Sequence, residues 1–521
     1  MSDGVILALD AGTSVMKAVA FDLEGRILAS EGRPNRYETR PDGAVEQDMT
    51  ATWRDAAEVL RALTARLDEL PRRVKALAVT GQGDGTWLMD AAGDPVAPAW
   101  LWLDSRAAGI VREFEASGAR RAIYEMTGCG LNACNQSSHL VWLERNQPAL
   151  LDRTATAQHC KDWLYFRLTG RRVTDISEGN FTFGNFRSRR YEPAILAQLG
   201  IAHRGELLPE MIDGSRETDP LTPAAAALTG LPAGLPVSLG YVDVACTALG
   251  AGIYEPGKSH GCSILGSTGM HMRFVPDAAA LTLAPEPGGY VMTLPIPGTA
   301  SQMQSNMAAT LNIDWMVDVG REAAGLLGRE AGRGEALGIF DRHVLEAPAG
   351  AALFHPYIHE AGERGPFTDA RARAQFAGLS QRVGFMGLLR TVYEGLAFAA
   401  RDCYGAMGHA PEEVRIAGGA ARSPAMRLIL ASVLGTPVVE ITREEAGAAG
   451  AAMMAGVAVG IFPDMAAAAA RWVTPALGER VMPDPALSRL YDELFPIYVE
   501  SRLAAPPIWA ALASARPGAA L

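Results

Sequence analysis

The sequence is poor in cysteine, with six among 521 residues: Cys129, Cys134, Cys160, Cys246, Cys262 and Cys403, none in a C-x-x-C pair. That usage excludes a disulfide scaffold and predicts scattered buried thiols in a reducing compartment. Positive charge is also scarce. Lys plus Arg number 47 against 58 for Asp plus Glu, a formal net charge of −11, so no chain-wide field attracts nucleic acid or anionic lipid. There is no G-x-G-x-x-G dinucleotide fingerprint. The opening MSDGVILALDAG has no basic run before its apolar stretch and is not expected to be a secretory signal. One segment that could mislead a hydropathy scan, the uncharged run 446–463, is mostly Ala and Gly without Leu, Trp or Lys anchors. It predicts a small-residue helix packed inside a soluble domain, not a membrane span. The protein is therefore expected to be cytoplasmic.

What is present is a globular composition, 49% hydrophobic and 20% charged. The length is about three and a half times a usual single domain. Apolar strands are predicted at 5–9, 17–22, 26–29, 74–80 and 236–241, with a helix over 50–67 and another leaving 244–252. Residues 258–274 repeat the opening plan of strand, Gly/Ser/Thr turn, strand. Helices follow at 305–319, 383–404, 422–434 and 444–460, with short strands at 414–417 and 437–441. Alternating helices and buried strands argue an α/β protein, and the repeated hairpin argues two duplicated domains of similar size. The expected division is 1–254, 255–500 and a tail, 501–521, whose Pro/Ala-rich end is expected to fray.

Five stretches carry candidate chemistry. D-A-G-T-S at 10–14 turns back at once between two strands. Gly12 permits the tight turn, Thr13 and Ser14 can line an anion, and Asp10 is placed to hold Mg²⁺ directly or through water. Lys17 either neutralises phosphate or, by strand alternation, points away. An ordinary hairpin turn would look the same. Gly266-Ser267-Thr268-Gly269 offers similar donors in the second half. Gly418-Gly419 follows a strand and precedes a helix with Ser423 as its cap and Pro424 at its first position, so a flat ring or ribose could approach the backbone beside Arg422. Asp243 stands at a strand's carboxyl end, where open α/β sheets place ligands. It is either a proton acceptor for an attacking hydroxyl or the cap of the next helix. In G-Q-G-D-G at 81–85, Asp84 could accept from polyol hydroxyls; Asp104 either lines the same pocket or pairs with Arg106 at the surface.

Taken in order, these stretches resemble the FGGY carbohydrate kinases of the actin/sugar-kinase/heat-shock ATPase superfamily. The likeness spans LDAGTSVMKAVAFDLEGRIL, VTGQGDGTWLMDAAGDPVAPAWLWLDSRA, HLVWLERNQPALLDR with DWLYFRLTGRRVTD, and LPAGLPVSLGYVDVACTALGAG. It continues through LFHPYIHEAGERGPFTDARARAQFAGLS, IAGGAARSPAMRLILASVLGTPV and the Glu445 helix. The resemblance implies two duplicated actin-like/ribonuclease H-like ATPase domains with an interdomain catalytic cleft, and ATP and Mg²⁺ as cofactors. It makes Asp10 the magnesium-associated aspartate and Asp243 the catalytic base. Gly12, Thr13, Ser14 and Lys17 form the first phosphate loop, Gly266, Ser267 and Thr268 the second, and Gly418, Gly419, Arg422 and Ser423 the adenosine turn. Gly83 and Asp84 fall at the substrate-contacting pair, where glycerol kinases carry Arg-Glu and D-xylulose kinases Met-His. A small residue beside an acceptor-only carboxylate favours hydroxyls, so the expected substrate is a short sugar alcohol, erythritol first. Pentuloses such as L-xylulose, ribulose or xylulose come second. A superfamily ATPase serving a protein partner is the alternative of another class, and an idle sugar-binding regulator a third. No nucleic acid or membrane partner is expected, and the only macromolecular partner admitted is a second copy, as a homodimer.

Overall fold

A computed structural model describes residues 4–515; residues 1–3 and the last six of the expected tail lie outside the described residues. The chain forms two compact units. The first comprises Met1–Pro256, Val275–Ser301 and Arg443–Pro475, the second Gly257–Phe274, Gln302–Thr442 and Ala476–Leu521. The chain crosses to the second unit after Pro256 and re-enters the first twice.

In the first unit, strands β1 (Val5–Ala11), β2 (Val15–Asp22), β3 (Ile27–Pro34), β4 (Val74–Gly81), β5 (Asp219–Pro220) and β6 (Pro236–Leu239) make one sheet in the order β5-β6-β4-β1-β2-β3. β1 runs antiparallel to β2 and parallel to β4, and β4 runs parallel to β6. Residues 5–9 and 76–79 are buried on both faces, as their unbroken Val/Ile/Leu/Ala runs require. Helix α1 (Met49–Arg66) covers the sheet through Trp53, Ala56, Ala57, Leu60 and Leu63, with Asp48 capping Thr50 and Ala51 N–H. Helices α2 (Cys160–Thr169), α3 (Ile176–Phe183), α4 (Asp243–Gly250) and α5 (Ala446–Ala458) complete the part that bears the site.

Helix α5 accounts for the uncharged run. It is buried over its first three turns and lies backbone to backbone on α4: a Cβ on Gly450 would sit 1.9 Å from the Cys246 carbonyl, and one on Gly250 2.0 Å from the Ala446 carbonyl. Among the described residues no helix is long and apolar enough to cross a membrane.

The second unit repeats the sheet. Six strands of a seven-stranded sheet, β7 (His260–Leu265), β8 (Gly269–Val275), β9 (Ala300–Asn306), β10 (Glu413–Ala417), β11 (Val438–Ile441) and β12 (Leu477–Val481), stand in the order β9-β8-β7-β10-β11-β12. β7 pairs antiparallel with β8 and parallel with β10, β10 pairs parallel with β11, and β12 closes antiparallel. The repeat expected from the two hairpins is therefore one of whole-sheet topology.

Two expected elements differ. Residues 305–306 belong to β9 and the helix starts at Thr310. β9 carries Gln302, Gln304 and Ser305 in buried positions, so its polarity hid a strand. The tail is helical over Pro506–Ala515, held by Trp509, which stacks on Phe367 with ring centroids 5.8 Å apart and meets Tyr357 edge-on. None of the six cysteines forms a disulfide; five are buried and Cys134 is partly so.

Candidate active site

Three neighbouring parallel strands of the first unit end side by side. β1 delivers Asp10, β4 delivers Gly81 to Gly85, and β6 runs through Gly240 to Asp243; in register, Asp10 faces Thr80 and Leu239 faces Val79. Strand order alone thus gathers groups far apart in sequence at one sheet edge.

Asp243 is the first residue of α4, not its cap; Val242 takes that place. Its Oδ1 accepts the Val244 N–H at 2.7 Å, and Oδ2 accepts no hydrogen bond among the described residues. Burial, with the Asp10 charge adding, pushes its pKa up to about 8. Asp10 is raised to about 6, chiefly by burial and then by Glu445, with Lys17 opposing. Its Oδ1 is buried without a hydrogen-bond partner. Gly447 of α5 gives it room: a Cβ there would lie 3.1 Å from Asp10 Oδ2. An orphaned carboxylate oxygen beside a second raised carboxylate is a donor set that fits a hard divalent cation. Lys17 faces the same way as Asp10, its cross-strand partner, but its ammonium is bound by Glu445 at 2.9 Å.

The first turn is built from its own chain. Asn35 donates its side-chain N–H to the Gly12 carbonyl and its backbone N–H to the Ser14 carbonyl at 2.9 Å. The Thr13 hydroxyl accepts from Trp102 Nε1 at 2.6 Å and donates to Gln82 Oε1 at 3.3 Å, so it is turned toward β4. Ser14 is exposed.

Asp84 sits in the left-handed region at φ 55°, which Asp tolerates better than most residues. Asn135 Nδ2 donates to its Oδ1, and Tyr290 hydroxyl and Cys134 Sγ donate to Oδ2 at 3.1 and 3.7 Å. Asn132 in turn donates to the Tyr290 oxygen at 2.9 Å. Gly83 is glycine for a steric reason: a Cβ would stand 2.4 Å from Val242 Cγ2 and 3.2 Å from Glu178 Oε1. Asp104 is engaged by the protein itself. Its carboxylate is buried, accepts Val45 N–H at 2.9 Å and grips Arg106 in a bidentate pair, with Arg106 stacked 3.5 Å over Trp100. Both its oxygens are engaged, and the pair is interior, not superficial.

A buried charge cluster outside the five stretches adjoins Asp84 through Glu178. Lys161, with no exposure, contacts Asp162 at 2.9 Å, Asp175 at 2.6 Å and Glu178. His159 lies 3.2 Å from Asp162 and 3.6 Å from Glu178. Burial works against the Lys161 charge, but the three carboxylates outweigh it and hold its pKa well above the ordinary value. Burial lifts Glu178 to about 7 despite His159 and Lys161. The His159, Asp162 and Glu178 ligand atoms are close enough for a metal, but the Lys161 ammonium already supplies the positive charge there. HCKDW at 159–163 and TDISE at 174–178 hold these residues, and four charges in mostly apolar surroundings were the available signal.

In the second unit, the β7–β8 turn and the β10 turn adjoin. Gly418 has φ 89°, and a Cβ would stand 2.6 Å from the Leu265 carbonyl, so only glycine lets the two turns approach. Gly266 accepts the Thr310 N–H and hydroxyl at 2.9 and 2.8 Å, and Ser267 accepts the Ala309 N–H at 2.7 Å. These bonds fix the turn to the start of helix Thr310–Leu326, while Ser267 is exposed and Thr268 half-buried. Gly418, Gly419 and Arg422 are exposed. Ser423 caps Met426 N–H at 2.9 Å and also donates to Asp341, which commits its hydroxyl to the protein. Residues 252–259 spell G-x-x-x-x-G-K-S, but they join α4 to β7. A phosphate-binding P-loop requires the reverse, a strand before and a helix after.

Comparison with known proteins agrees with this arrangement. Residues 5–250 match the N-terminal domain, and 262–459 the C-terminal domain, of the FGGY family of carbohydrate kinases. Erythritol kinase of Brucella abortus (strain 2308) is 51% identical over 512 residues, 98% of each chain. L-xylulose/3-keto-L-gulonate kinase of Escherichia coli (strain K12) is 28% identical, over 94% of this chain and 95% of that one. The crystal structure of xylulose kinase from Rhodospirillum rubrum superposes with a TM-score of 0.85 at 28% identity, over 97% of this chain and 100% of that one.

Proposed function

The chain belongs to the FGGY family of carbohydrate kinases, and from that premise we propose that it is an ATP-dependent erythritol kinase that phosphorylates a terminal hydroxyl. The observation that carries the substrate is the 51% identity to an erythritol kinase across 98% of both chains. The pair Gly83-Asp84 supports it. Asp84 is an acceptor held in place by Asn135 and Tyr290, suited to hydroxyl donors and without special provision for a ketone.

In the proposed reaction the substrate hydroxyl gives its proton to Asp243 Oδ2 as its oxygen attacks the γ-phosphorus of ATP, and ADP leaves. The Val244 N–H on Oδ1 orients the carboxylate so that its other oxygen meets the hydroxyl. Asp10 would hold Mg²⁺, directly or through water; when bound, the ion offsets negative charge on the phosphates. The turns at Gly12-Thr13-Ser14 and Gly266-Ser267-Thr268 are the proposed phosphate contacts, and Gly418-Gly419 with Arg422 the adenosine contact. Lys17 and Ser423 act through Glu445 and the helix cap, and Asp104 supports Arg106 and Val45. The proposed location is the cytoplasm and the proposed assembly a homodimer, which light scattering of the purified protein tests.

The deciding experiment is ADP release from Mg-ATP across C3–C6 polyols and ketoses. Erythritol is expected to be turned over far above glycerol and the pentuloses; rapid turnover of L-xylulose with none of erythritol would overturn the assignment. Asp243→Asn is expected to lower kcat by roughly 10²–10⁴-fold with little change in KM.

A further inference from the structure

The first turn of α3 is tied in two directions at once. Glu178, fully buried, accepts the Asp84 N–H on Oε1 at 2.8 Å and binds the Lys161 ammonium through Oε2. The preceding Ser177 accepts the Val242 N–H at 3.1 Å on its hydroxyl, which in turn donates to Asp175 Oδ1. Asp175 Oδ2 returns to Lys161 at 2.6 Å. One ammonium therefore anchors both the residue that presents Asp84 and the residue that precedes Asp243.

A cluster this dry is a poor source of stability, because desolvating one ammonium and three carboxylates offsets most of their attraction and apolar side chains of like volume would fill the space. What it supplies is position. Asp84 stands at φ 55°, and the Glu178 carboxylate fixes that turn through the Asp84 N–H. The two branches converge at Gly83, whose backbone lies against both Glu178 Oε1 and Val242 Cγ2. We propose that Lys161, Asp175, Ser177 and Glu178 are positioning residues for phosphoryl transfer: the Glu178 branch sets the substrate-binding Asp84 loop, and the Ser177 branch sets the base Asp243. This rests on the carbohydrate-kinase reading of the site.

The separate branches predict separate kinetic defects in the full-length protein. Glu178→Gln should raise the KM for polyol on the order of 10–100-fold, with the KM for ATP and the polyol-independent ATP hydrolysis unchanged. Ser177→Ala should lower kcat on the order of 10-fold while the polyol KM stays within about twofold. Glu178→Asp should recover part of the lost affinity. Lys161→Met should show both defects; if it does not fold, the two conservative variants decide. Unchanged kinetics in both, or kcat and KM moving together in proportion to a lowered melting temperature, would overturn the proposal. Failure of the wild type on erythritol would overturn the substrate assignment alone, and the same split is then read on whichever polyol or ketose it does phosphorylate.

Discussion

Asp10 and Asp243 are held where ionisation is penalised, at pKa values of about 6 and about 8, and that has a consequence for stability as well as for proton transfer. A carboxyl whose folded pKa is raised above its unfolded value contributes stability fully below the unfolded pKa, and that contribution is lost as pH rises through the folded pKa. For these two groups the loss runs from about pH 4 to about pH 8. Replacing either by Asn removes a charge the fold resists, so Asp10→Asn and Asp243→Asn should melt roughly 2–6 °C above wild type at pH 8 and close to it at pH 5, while turnover is lost. Differential scanning calorimetry at the two pH values checks this; equal melting at pH 8 would show that neither charge is strained. Added Mg²⁺ should raise the wild-type midpoint at pH 8 and leave that of Asp10→Asn unmoved. The pair Gly83 and Val242 gives a second prediction at this scale. Gly83→Ala should raise the polyol KM roughly 10-fold by driving its methyl into Val242, which an ideal Cβ approaches to 2.4 Å, and Val242→Ala in the same chain should restore most of it.

Among the elements, α5 shows how far sequence pattern reaches. Its Ala and Gly content read as a tightly packed helix, and the packing is as tight as backbone contact allows, but composition could not say that its partner is α4, nearly two hundred residues earlier in the chain. The same holds across the site. Asp10, Asp84 and Asp243 were legible because turns and strand ends mark themselves with Gly, Ser, Thr and Asp. Lys161, Asp175 and Glu178 were not, because their meaning lies in one another and they meet only when α2 and α3 pack. Of the two readings open for Asp104, the pair with Arg106 is the one its carboxylate makes, in the interior and not at the surface. The polar strand β9 was invisible to hydropathy. Because α5 fixes α4, and α4 begins with Asp243, Gly450→Ala should act on both stability and chemistry. A methyl 1.9 Å from the Cys246 carbonyl forces the helices apart, at an expected loss of about 1–3 kcal/mol and a lowered kcat. Gly338→Ala, in the middle of helix Arg333–His343 with nothing near the added methyl, should instead stabilise by about 0.5–1 kcal/mol. Thermal melts of the two variants should move in opposite directions.

At the scale of the molecule, duplication and discontinuity meet. The six-strand order of the first sheet recurs within the seven-stranded second, but the first unit is finished by segments that come late in the chain: Val275–Ser301, which brings Tyr290 to Asp84, and Arg443–Pro475, which contains α5. A chain stopped at residue 256 would carry β1 to β6 and Asp243 intact in sequence, yet it would expose the face of α4 on which Gly447, Gly450 and the Ala residues of α5 rest. It would also leave Asp84 without its Tyr290 donor. Domains fold alone when their core is closed by their own chain, and this one is not so closed. A fragment of residues 1–256 is therefore expected to show helix by far-UV circular dichroism but no cooperative thermal transition, and to bind a dye for exposed apolar surface. Adding a peptide of residues 443–475 should restore a cooperative transition, since it supplies α5 as a ligand of the folded fragment only. A fragment 1–256 that melts cooperatively at the wild-type midpoint without the peptide would show that the first unit is complete without α5, and that the backbone contacts between α4 and α5 position Asp243 without holding the fold together.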